Sequence, residues 1–191
     1  MYRAVTQAAL ARNVSIEDAG ALTSLARDLR IDVSLPSPDH AEEEQVFVDG
    51  VNVTNLLRAP EVEASVSLIS RVAGVREALV RKQRMIAEEG AIVMAGRDIG
   101  TVVLPDAALK VYLDASLSER SRRRHQEFHR SGRAGTEEEV MDDIRRRDQI
   151  DSEREVSPLR PAHDAVVIRT DGKEVEEVLE EVIRLASTDK Q

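Results

Sequence analysis

The chain has 191 residues, enough for one domain or for one domain with a smaller insert. It contains no cysteine, which excludes disulfides, thiol catalysis and cysteine-ligated zinc, and its 41% hydrophobic content excludes wholesale disorder. The formal net charge of −9 disfavours a general nucleic-acid binder, and no apolar run approaches membrane-spanning length.

Two helices are predicted at the start of the chain. Apolar residues recur at helical spacing over 1–12, although no capping residue precedes them. A second helix is predicted to begin at Ser15, because Asp18 follows three residues later in the pattern of a capping box. The first helix therefore begins as if it were preceded by more of the same fold.

Residues 31–89 predict a small antiparallel element followed by helices. Three short runs rich in valine have the character of strands, and Asp49-Gly50 between the last two is a two-residue hairpin signal. Pro60 stands where proline favours the first turn of a helix, and Gly90 ends the next helical pattern.

From residue 91 onward, strands and helices alternate. The runs 91–95, 109–113 and 165–168 are short and apolar, as expected of strands buried on both faces of a parallel sheet. Charged helices separate them, one of them opened by a capping box of Thr136 and Glu139, and an amphipathic helix closes the chain. This alternation predicts an α/β fold with a parallel sheet.

The loop GRDIGT follows the first of these predicted strands. Arg97 has the chemistry to hold a phosphate, and Asp98 accepts hydrogen bonds from an amine or a hydroxyl. The flanking glycines, Gly96 and Gly100, let a ligand approach the backbone closely. Open α/β sheets bind ligands at this end of their strands. The alternative is a turn with a local Arg–Asp ion pair, and these residues alone leave both open.

A second arginine–carboxylate pattern lies in RDQIDSER. Arg147, Asp151 and Arg154 are spaced so that they share one stripe of a helix. Two guanidiniums beside a carboxylate suit a sugar hydroxyl next to a phosphate. Taken alone, the pattern favours a salt-bridged solvent face.

A third cluster lies in ERSRRRHQEFHRSGR. Arg120, Arg123 and Arg124 recur at helical spacing, which suits either a phosphate clamp on a mobile flap or a basic patch for RNA. The acidic residues around them count against RNA. His125 and His129 have a spacing that could bind a metal, but no third ligand is apparent, and no metal site is predicted.

The sequence has no phosphate-binding loop of the form G-x-x-x-x-G-K-[ST]. Its only Gly-Lys pair is Gly172-Lys173, which Glu174 follows. Val167 stands where the first glycine of that loop belongs.

Taken together, these motifs resemble bacterial cytidylate kinases, the CMP/dCMP kinase family of P-loop nucleoside monophosphate kinases. The resemblance runs from Met1 to about residue 186. It is carried by MYRAVT, VFVDGVNVT, VREALVRKQR, GRDIGTVVLPDA, LKVYLDAS, ERSRRR and RRRDQIDSEREVSPL.

The resemblance implies roles for individual residues. Arg3 and Arg97 match holders of the acceptor phosphate, with Tyr2 beside them, and Ser67, Arg76 and Asp98 match readers of the base. Arg147 and Asp151 match sugar contacts, and Arg154 a nearby pyrimidine or phosphate contact. Arg120, Arg123 and Arg124 fall in the lid that closes over the ATP phosphates. The catalytic residues implied are Arg97, Arg123 and Arg147.

The resemblance also implies an architecture and a chemistry. One P-loop kinase-type α/β domain is expected over 1–191, with its core at 1–30 and 90–191, a lid at about 117–134 and a monophosphate-binding insert at 31–89. The substrates implied are CMP or dCMP and ATP, with Mg²⁺ as cofactor. The protein is expected to be cytoplasmic and monomeric, with neither nucleic acid nor a membrane as partner.

The family begins with a strand, the phosphate-binding loop, a helix and a short strand, which are expected upstream of MYRAV. We therefore expect either an internal methionine taken as the start or a truncated gene, and the first is favoured because the rest of the site pattern is intact. The 191 residues alone are not expected to phosphorylate CMP at a useful rate. The alternative function is a non-catalytic nucleotide-binding remnant.

Overall fold

The computed structural model divides the chain into two compact units, Met1–Ile92 and Val93–Gln191, called here the N-terminal unit and the C-terminal unit. Each is described by itself. The structure describes residues 1–34, 45–88, 90, 92–130, 132, 135–152 and 159–188. The sequence-based division into a core, an insert and a lid stays a prediction.

Two helices open the N-terminal unit. α1 spans Tyr2–Ala11, and its N-cap, Met1, makes no side-chain capping bond, as the sequence predicted. α2 spans Ala19–Asp28, so the predicted start at Ser15 is wrong. Asp18 is the residue that caps the helix, since its Oδ1 accepts a hydrogen bond from Ala21 N at 2.9 Å. Ser15 instead accepts from Glu17 N in the preceding turn.

The antiparallel element is a three-stranded sheet. β1 (Ile31–Ser34) pairs with β2 (Gln45–Val48), and β2 pairs with β3 (Val51–Asn52). The predicted hairpin turn is confirmed, because Asp49 and Gly50 both have positive φ angles, 50° and 82°. That is the backbone geometry of a tight type I′ hairpin.

Two further helices complete the N-terminal unit. α3 spans Pro60–Ile69 with Pro60 in its first turn, as predicted, and α4 spans Ala73–Glu88. α1 packs on α3, and α2 packs on α4. The core between these helices and the sheet is aliphatic, built from fully buried side chains such as Val5, Leu22, Ile69 and Leu79.

The C-terminal unit contains a parallel pair of strands. β4 (Val111–Asp114) pairs with β5 (Val166–Arg169), with Val111 opposite Val166 and Asp114 opposite Arg169. The predicted strands at 109–113 and 165–168 are therefore confirmed within one or two residues. The α/β class with a parallel sheet is confirmed as well.

The predicted strand at 91–95 is wrong for the four of its residues that the structure describes, 92–95, which form no strand. An apolar run favours a strand only where a neighbouring strand completes its backbone hydrogen bonds. Among the described residues, β4 and β5 pair only with each other. Residues 92–95 therefore lack a ladder, and Val93 is 96% exposed.

The prediction that the strands of this sheet are buried on both faces is also wrong. Leu113 on β4 is 56% exposed, and Val166 and Val167 on β5 are exposed as well. Of the β5 residues, only Ile168 is buried. Two strands cover too little area to bury both of their faces.

Three longer helices belong to the described part of the C-terminal unit. α5 spans Leu117–Arg130, α6 spans Glu137–Ser152 and α7 spans Val175–Thr188. The predicted capping box of α6 is confirmed, since Glu139 N donates to Thr136 Oγ1 and Thr136 N donates to Glu139 Oε2. None of the described helices is both long and apolar enough to cross a bilayer.

Candidate functional site

In the N-terminal unit, Arg76 joins three segments. It lies in the first turn of α4 and is 2% exposed. Its Nη1 donates to Ser70 O at 3.2 Å, and its guanidinium lies 5.4 Å from the centre of the Tyr2 ring. Stacking on an aromatic ring and bonding to a carbonyl both fix the plane of a guanidinium. The structure thus brings together two of the predicted substrate residues, Tyr2 and Arg76.

Ser67 belongs to the same connected set. It lies near the end of α3, as predicted, and its carbonyl accepts a hydrogen bond from Ser70 Oγ at 2.9 Å. Ser70 in turn carries the carbonyl that receives Arg76. Ser70, in the turn between α3 and α4, therefore connects Ser67 to Arg76 through two hydrogen bonds.

Arg3 is anchored to α3 by an acidic residue. Its Nη1 donates to Leu57 O at 2.8 Å and lies 3.3 Å from Glu63 Oε1. Glu63 and Ser67 are four residues apart on α3 and so share one helix face. Glu63 was not singled out in the sequence, where one carboxylate among 36 acidic residues carries no signal of its own.

In the C-terminal unit, a cavity of about 550 Å³ is lined by Arg97, Arg120 and Asp148, by the further charged residues Lys110, Asp114 and Arg160, and by apolar residues. Asp148 links the two arginines, because its Oδ2 accepts from Arg120 Nη1 at 2.5 Å and its Oδ1 lies 3.7 Å from Arg97 Nη1. A carboxylate between two guanidiniums fixes both at one wall of the cavity. Arg97 forms an ion pair with Asp148; the local Arg97–Asp98 pair considered in the sequence stays an open alternative.

The surroundings of Arg97 lower the pKa of its guanidinium from the ordinary value. Burial lowers the pKa of Arg97, the nearby Asp148 carboxylate raises it, and the positive charge of Arg120 lowers it further. The charged residues that line the cavity are four basic ones, Arg97, Lys110, Arg120 and Arg160, and two acidic ones, Asp114 and Asp148, so basic groups are in excess. A phosphate dianion is the kind of ligand that such an excess attracts.

Asp98 lies beside this wall and is 6% exposed. It is the N-cap of a short π-helical turn, Ile99–Val103, and its carbonyl accepts from Val102 N and Val103 N. A Cβ at Gly100 would lie 3.4 Å from the Lys110 side chain, so the loop runs close to that side chain.

The three lid arginines all lie on α5 but have different partners. Arg120 pairs with Asp148, Arg123 with Glu119 at 2.7 Å, and Arg124 with Glu127 at 2.6 Å. Arg123 also donates to the hydroxyl and the carbonyl of Thr170, directly after β5. Of the three, only Arg120 lines the cavity.

The second arginine–carboxylate pattern is described in part. Arg147 and Asp151 are four residues apart on α6, as the predicted stripe requires, and Arg147 directly precedes Asp148. Arg154 lies outside the described residues, so its place on the stripe stays a prediction. Asp148 was missed from the sequence, although the Arg-Asp step in RDQIDSER repeats the one in GRDIGT.

Each unit thus carries a set of arginines fixed by carboxylates, carbonyls or a ring, and the C-terminal set faces a cavity. An α/β unit with a parallel sheet and an arginine-lined cavity is consistent with a P-loop kinase fold, whose members are phosphotransferases.

Comparison with known proteins gives the family. The cytidylate kinase family model matches residues 1–188. The chain is 42% identical to the cytidylate kinase of Bacillus licheniformis over 97% of this chain and 80% of that protein. It is 48% identical to that of Geobacillus kaustophilus over 98% of this chain and 82% of that protein. The chain belongs to the cytidylate kinase family.

A much longer relative is similar to this chain at a comparable level of sequence identity. The bifunctional pantoate ligase/cytidylate kinase of a Synechococcus strain is 46% identical over 97% of this chain but only 34% of that protein. The similarity is therefore confined to one part of that longer chain. The family is confirmed, whereas the role of each individual residue stays a prediction.

Proposed function

We propose that this chain serves transfer of the ATP γ-phosphoryl group to CMP or dCMP, yielding CDP or dCDP for pyrimidine nucleotide metabolism. The observation that carries the proposal is the family match over residues 1–188. The paired guanidiniums of Arg97 and Arg120 at the cavity wall support it, because phosphoryl transfer depends on positioning and charge neutralisation. No covalent intermediate is needed.

Recognition of cytosine is proposed for Asp98 and Arg76, with Ser67. Cytosine offers an amine donor beside ring acceptors, so a carboxylate suits the first and an arginine or serine the second. Asp98 and Arg76 are both buried, which makes their hydrogen bonds selective because an unpaired partner there is costly. Arg3 and Arg97 are proposed for the acceptor phosphate, and Arg147 and Asp151 for the sugar.

Mg²⁺ is proposed to accompany ATP as its co-substrate ion. Among the described residues, no group of three or more His, Cys, Asp or Glu side chains could hold a metal. The described part of the chain therefore offers no Mg²⁺ site of three such ligands, and we derive no step through the ion. The cytoplasmic location and the monomeric state stay predictions.

Calorimetry with CMP tests the recognition part of the proposal. Asp98→Ala should weaken CMP binding by about 1–3 kcal/mol, the effect of one unmade buried hydrogen-bond pair. Asp106→Ala is the matched control, since Asp106 is an exposed aspartate in the same segment. Unchanged CMP affinity in the Asp98 variant, or an equal loss in the control, would contradict the assignment. Titrations with dCMP and UMP rank the acceptors.

A kinase assay separates catalysis from binding. The alternative, a CMP-binding protein without phosphoryl transfer, is favoured by the absence of G-x-x-x-x-G-K-[ST] from the 191 residues. Turnover of CMP and ATP at ordinary kinase rates of about 1–100 s⁻¹, free of host kinase, supports the full activity. CMP binding without turnover supports the alternative. A chain that folds and binds no CMP overturns both.

A sugar contact at α6 has its own test. Asp151→Asn should raise KM or lower kcat for the nucleotide, or weaken its binding, while stability changes little. Lost stability with normal nucleotide binding would favour a structural ion pair on this helix.

A further inference from the structure

The last turns of α5 bring two imidazole nitrogens close together. His125 Nε2 and His129 Nε2 lie 3.2 Å apart, and His125 Nε2 lies 3.1 Å from Gly135 O. The two rings meet at 81° with centroids 4.5 Å apart, so they are not stacked face to face. Three polar atoms therefore converge at one point between α5 and the residue that precedes the capping box of α6.

Hydrogen bonding alone accounts poorly for this convergence. If His125 Nε2 carries a proton, that proton has two acceptors to serve, Gly135 O and His129 Nε2. If it carries none, its lone pair faces the lone pairs of the carbonyl. A metal ion accepts lone pairs from two imidazoles at once.

The distance between the two nitrogens suits that role. Metal–nitrogen bonds to histidine are about 2.0–2.1 Å, so two nitrogens on a tetrahedral ion lie about 3.3 Å apart. The 3.2 Å separation of the two Nε2 atoms is close to that value. Imidazole prefers Zn²⁺, Ni²⁺ and Cu²⁺ over the hard cations Mg²⁺ and Ca²⁺.

The electrostatic setting also suits a cation. The pair lies at the C-terminal end of α5, where the carbonyl dipoles favour positive charge. Arg124, which directly precedes His125, forms an ion pair with Glu127, and its guanidinium lies over the Phe128 ring. On the α6 side, Glu139 Oε2 lies 3.8 Å from the position a Cβ of Gly135 would take.

We propose that His125 and His129 form a binding site for a divalent transition-metal ion of the Zn²⁺ or Ni²⁺ type. The two Nε2 atoms are its protein ligands and water fills the remaining positions, since no third acidic or imidazole side chain among the described residues completes a larger set. Because the chain has no cysteine, no thiolate competes for such ions. The bound ion links His125 to His129, which lie one turn apart near the C-terminal end of α5. This site is independent of nucleotide binding and of the kinase proposal.

Titration calorimetry on the full chain, purified without a histidine tag, tests the site. We expect one Ni²⁺ or Zn²⁺ per chain in wild type and no competition from Mg²⁺. His125→Asn and His129→Asn should each weaken binding by more than the roughly tenfold loss that follows removal of a mere outer-shell partner. His163→Asn is the matched control, because the His163 side chain is 96% exposed and should leave binding unchanged.

Two further readouts keep the proposal falsifiable if a variant folds poorly. In wild type, two of the four imidazoles should shift in long-range ¹H–¹⁵N spectra when Zn²⁺ is added, and the others should not. Zn²⁺ should raise the Tm of wild type but not of His129→Asn, since an ion stabilises only the state that binds it. Binding retained in both pair variants, or lost equally in the His163 control, would overturn the site.

Discussion

The two units of this chain bury their apolar residues to very different extents. In the N-terminal unit, one continuous cluster from Ala4 to Leu79 is buried, drawn from α1, α2, α4, the end of α3, the antiparallel sheet and the loop after it. In the C-terminal unit, the buried hydrophobic residues among those described are Val103, Val140 and Ile168. The contrast is not one of composition, since apolar side chains are plentiful in both.

The exposed apolar residues show where the difference arises. On α7, Val175, Leu179 and Ile183 recur at i, i+4 and i+8 and are all exposed, as is Leu113 on β4. An apolar stripe on a helix and an apolar face on a strand are sequence patterns that usually indicate a surface packed against other parts of a protein. The C-terminal unit thus has the sequence of a buried sheet, but its described residues form only two strands, so the apolar core among them is small.

A matched pair of leucines gives the largest expected difference. Leu79→Ala in the N-terminal unit should cost about 2–5 kcal/mol of unfolding free energy, because Leu79 is fully buried. Leu179→Ala in the C-terminal unit should change it by less than about 0.5 kcal/mol, because that side chain is 54% exposed. Urea denaturation measures both, and equal losses would contradict the comparison.

Two glycines should show no difference between the units. Gly50 and Gly172 have φ angles of 82° and 69°, and neither has an atom within 4 Å of the position a Cβ would occupy. Alanine at either position should cost about 1–2 kcal/mol from backbone strain alone. The same denaturation series checks this. A much larger loss at one of them would mean that its turn supports packing as well as chain reversal.

Self-association should follow the exposed strand face. Leu113→Thr on β4 should change stability by less than about 0.5 kcal/mol yet reduce association, because it breaks the apolar surface of an unpaired edge. Val51→Thr on β3 is the control, since Val51 is exposed on a small hairpin. Light scattering at rising concentration measures the effect. Equal association in both variants would exclude the β4 face as its cause.

The smallest expected effect is electrostatic. A hydrogen bond from Arg30 N and then one from the Arg12 side chain hold the pKa of Asp49 below its ordinary value. A carboxyl with a lowered pKa in the folded state adds stability above the unfolded pKa, and that stability is lost as pH falls through the folded value. Asp49→Asn keeps a residue that tolerates positive φ, so it should flatten the loss of stability below about pH 4 without breaking the turn.

The counterpart in the C-terminal unit is Glu119, whose pKa is lowered by Arg122 and then by Arg123. Glu119→Gln should flatten the acid limb in the same direction. Acid titration followed by circular dichroism compares both variants with wild type. A steeper limb in either variant would contradict the assigned sign.

Local features of this fold were predictable because short segments determine them. Asp49-Gly50 and the Thr136–Glu139 box act within four residues, and both are confirmed. The start of α2 was wrong because Ser15 and Asp18 are both good caps, and only the turn before the helix decides between them. Residues 92–95 were wrong because a strand depends on a distant partner.

The candidate site divides in the same way. The sequence motifs predicted which arginines belong to the candidate site, but not which carboxylates form ion pairs with them. Asp148 lies 51 residues from Arg97 along the chain and 3.7 Å from it in space, and no spacing rule connects the two. Arg76 could be named from the resemblance, but its contact with the Tyr2 ring joins residues 74 positions apart and is set by tertiary packing.

α5 is held by different kinds of contact near its two ends. Its base is fixed by Arg120 to Asp148 and by Arg123 to Thr170, while its far end meets the segment at Gly135 through the histidine pair. From Arg120 to Arg130 the helix is about 15 Å long, so a tilt of about 15° at the base displaces the tip by about 4 Å. A change in the bonds of these two arginines that tilted the helix would therefore move its opposite end most.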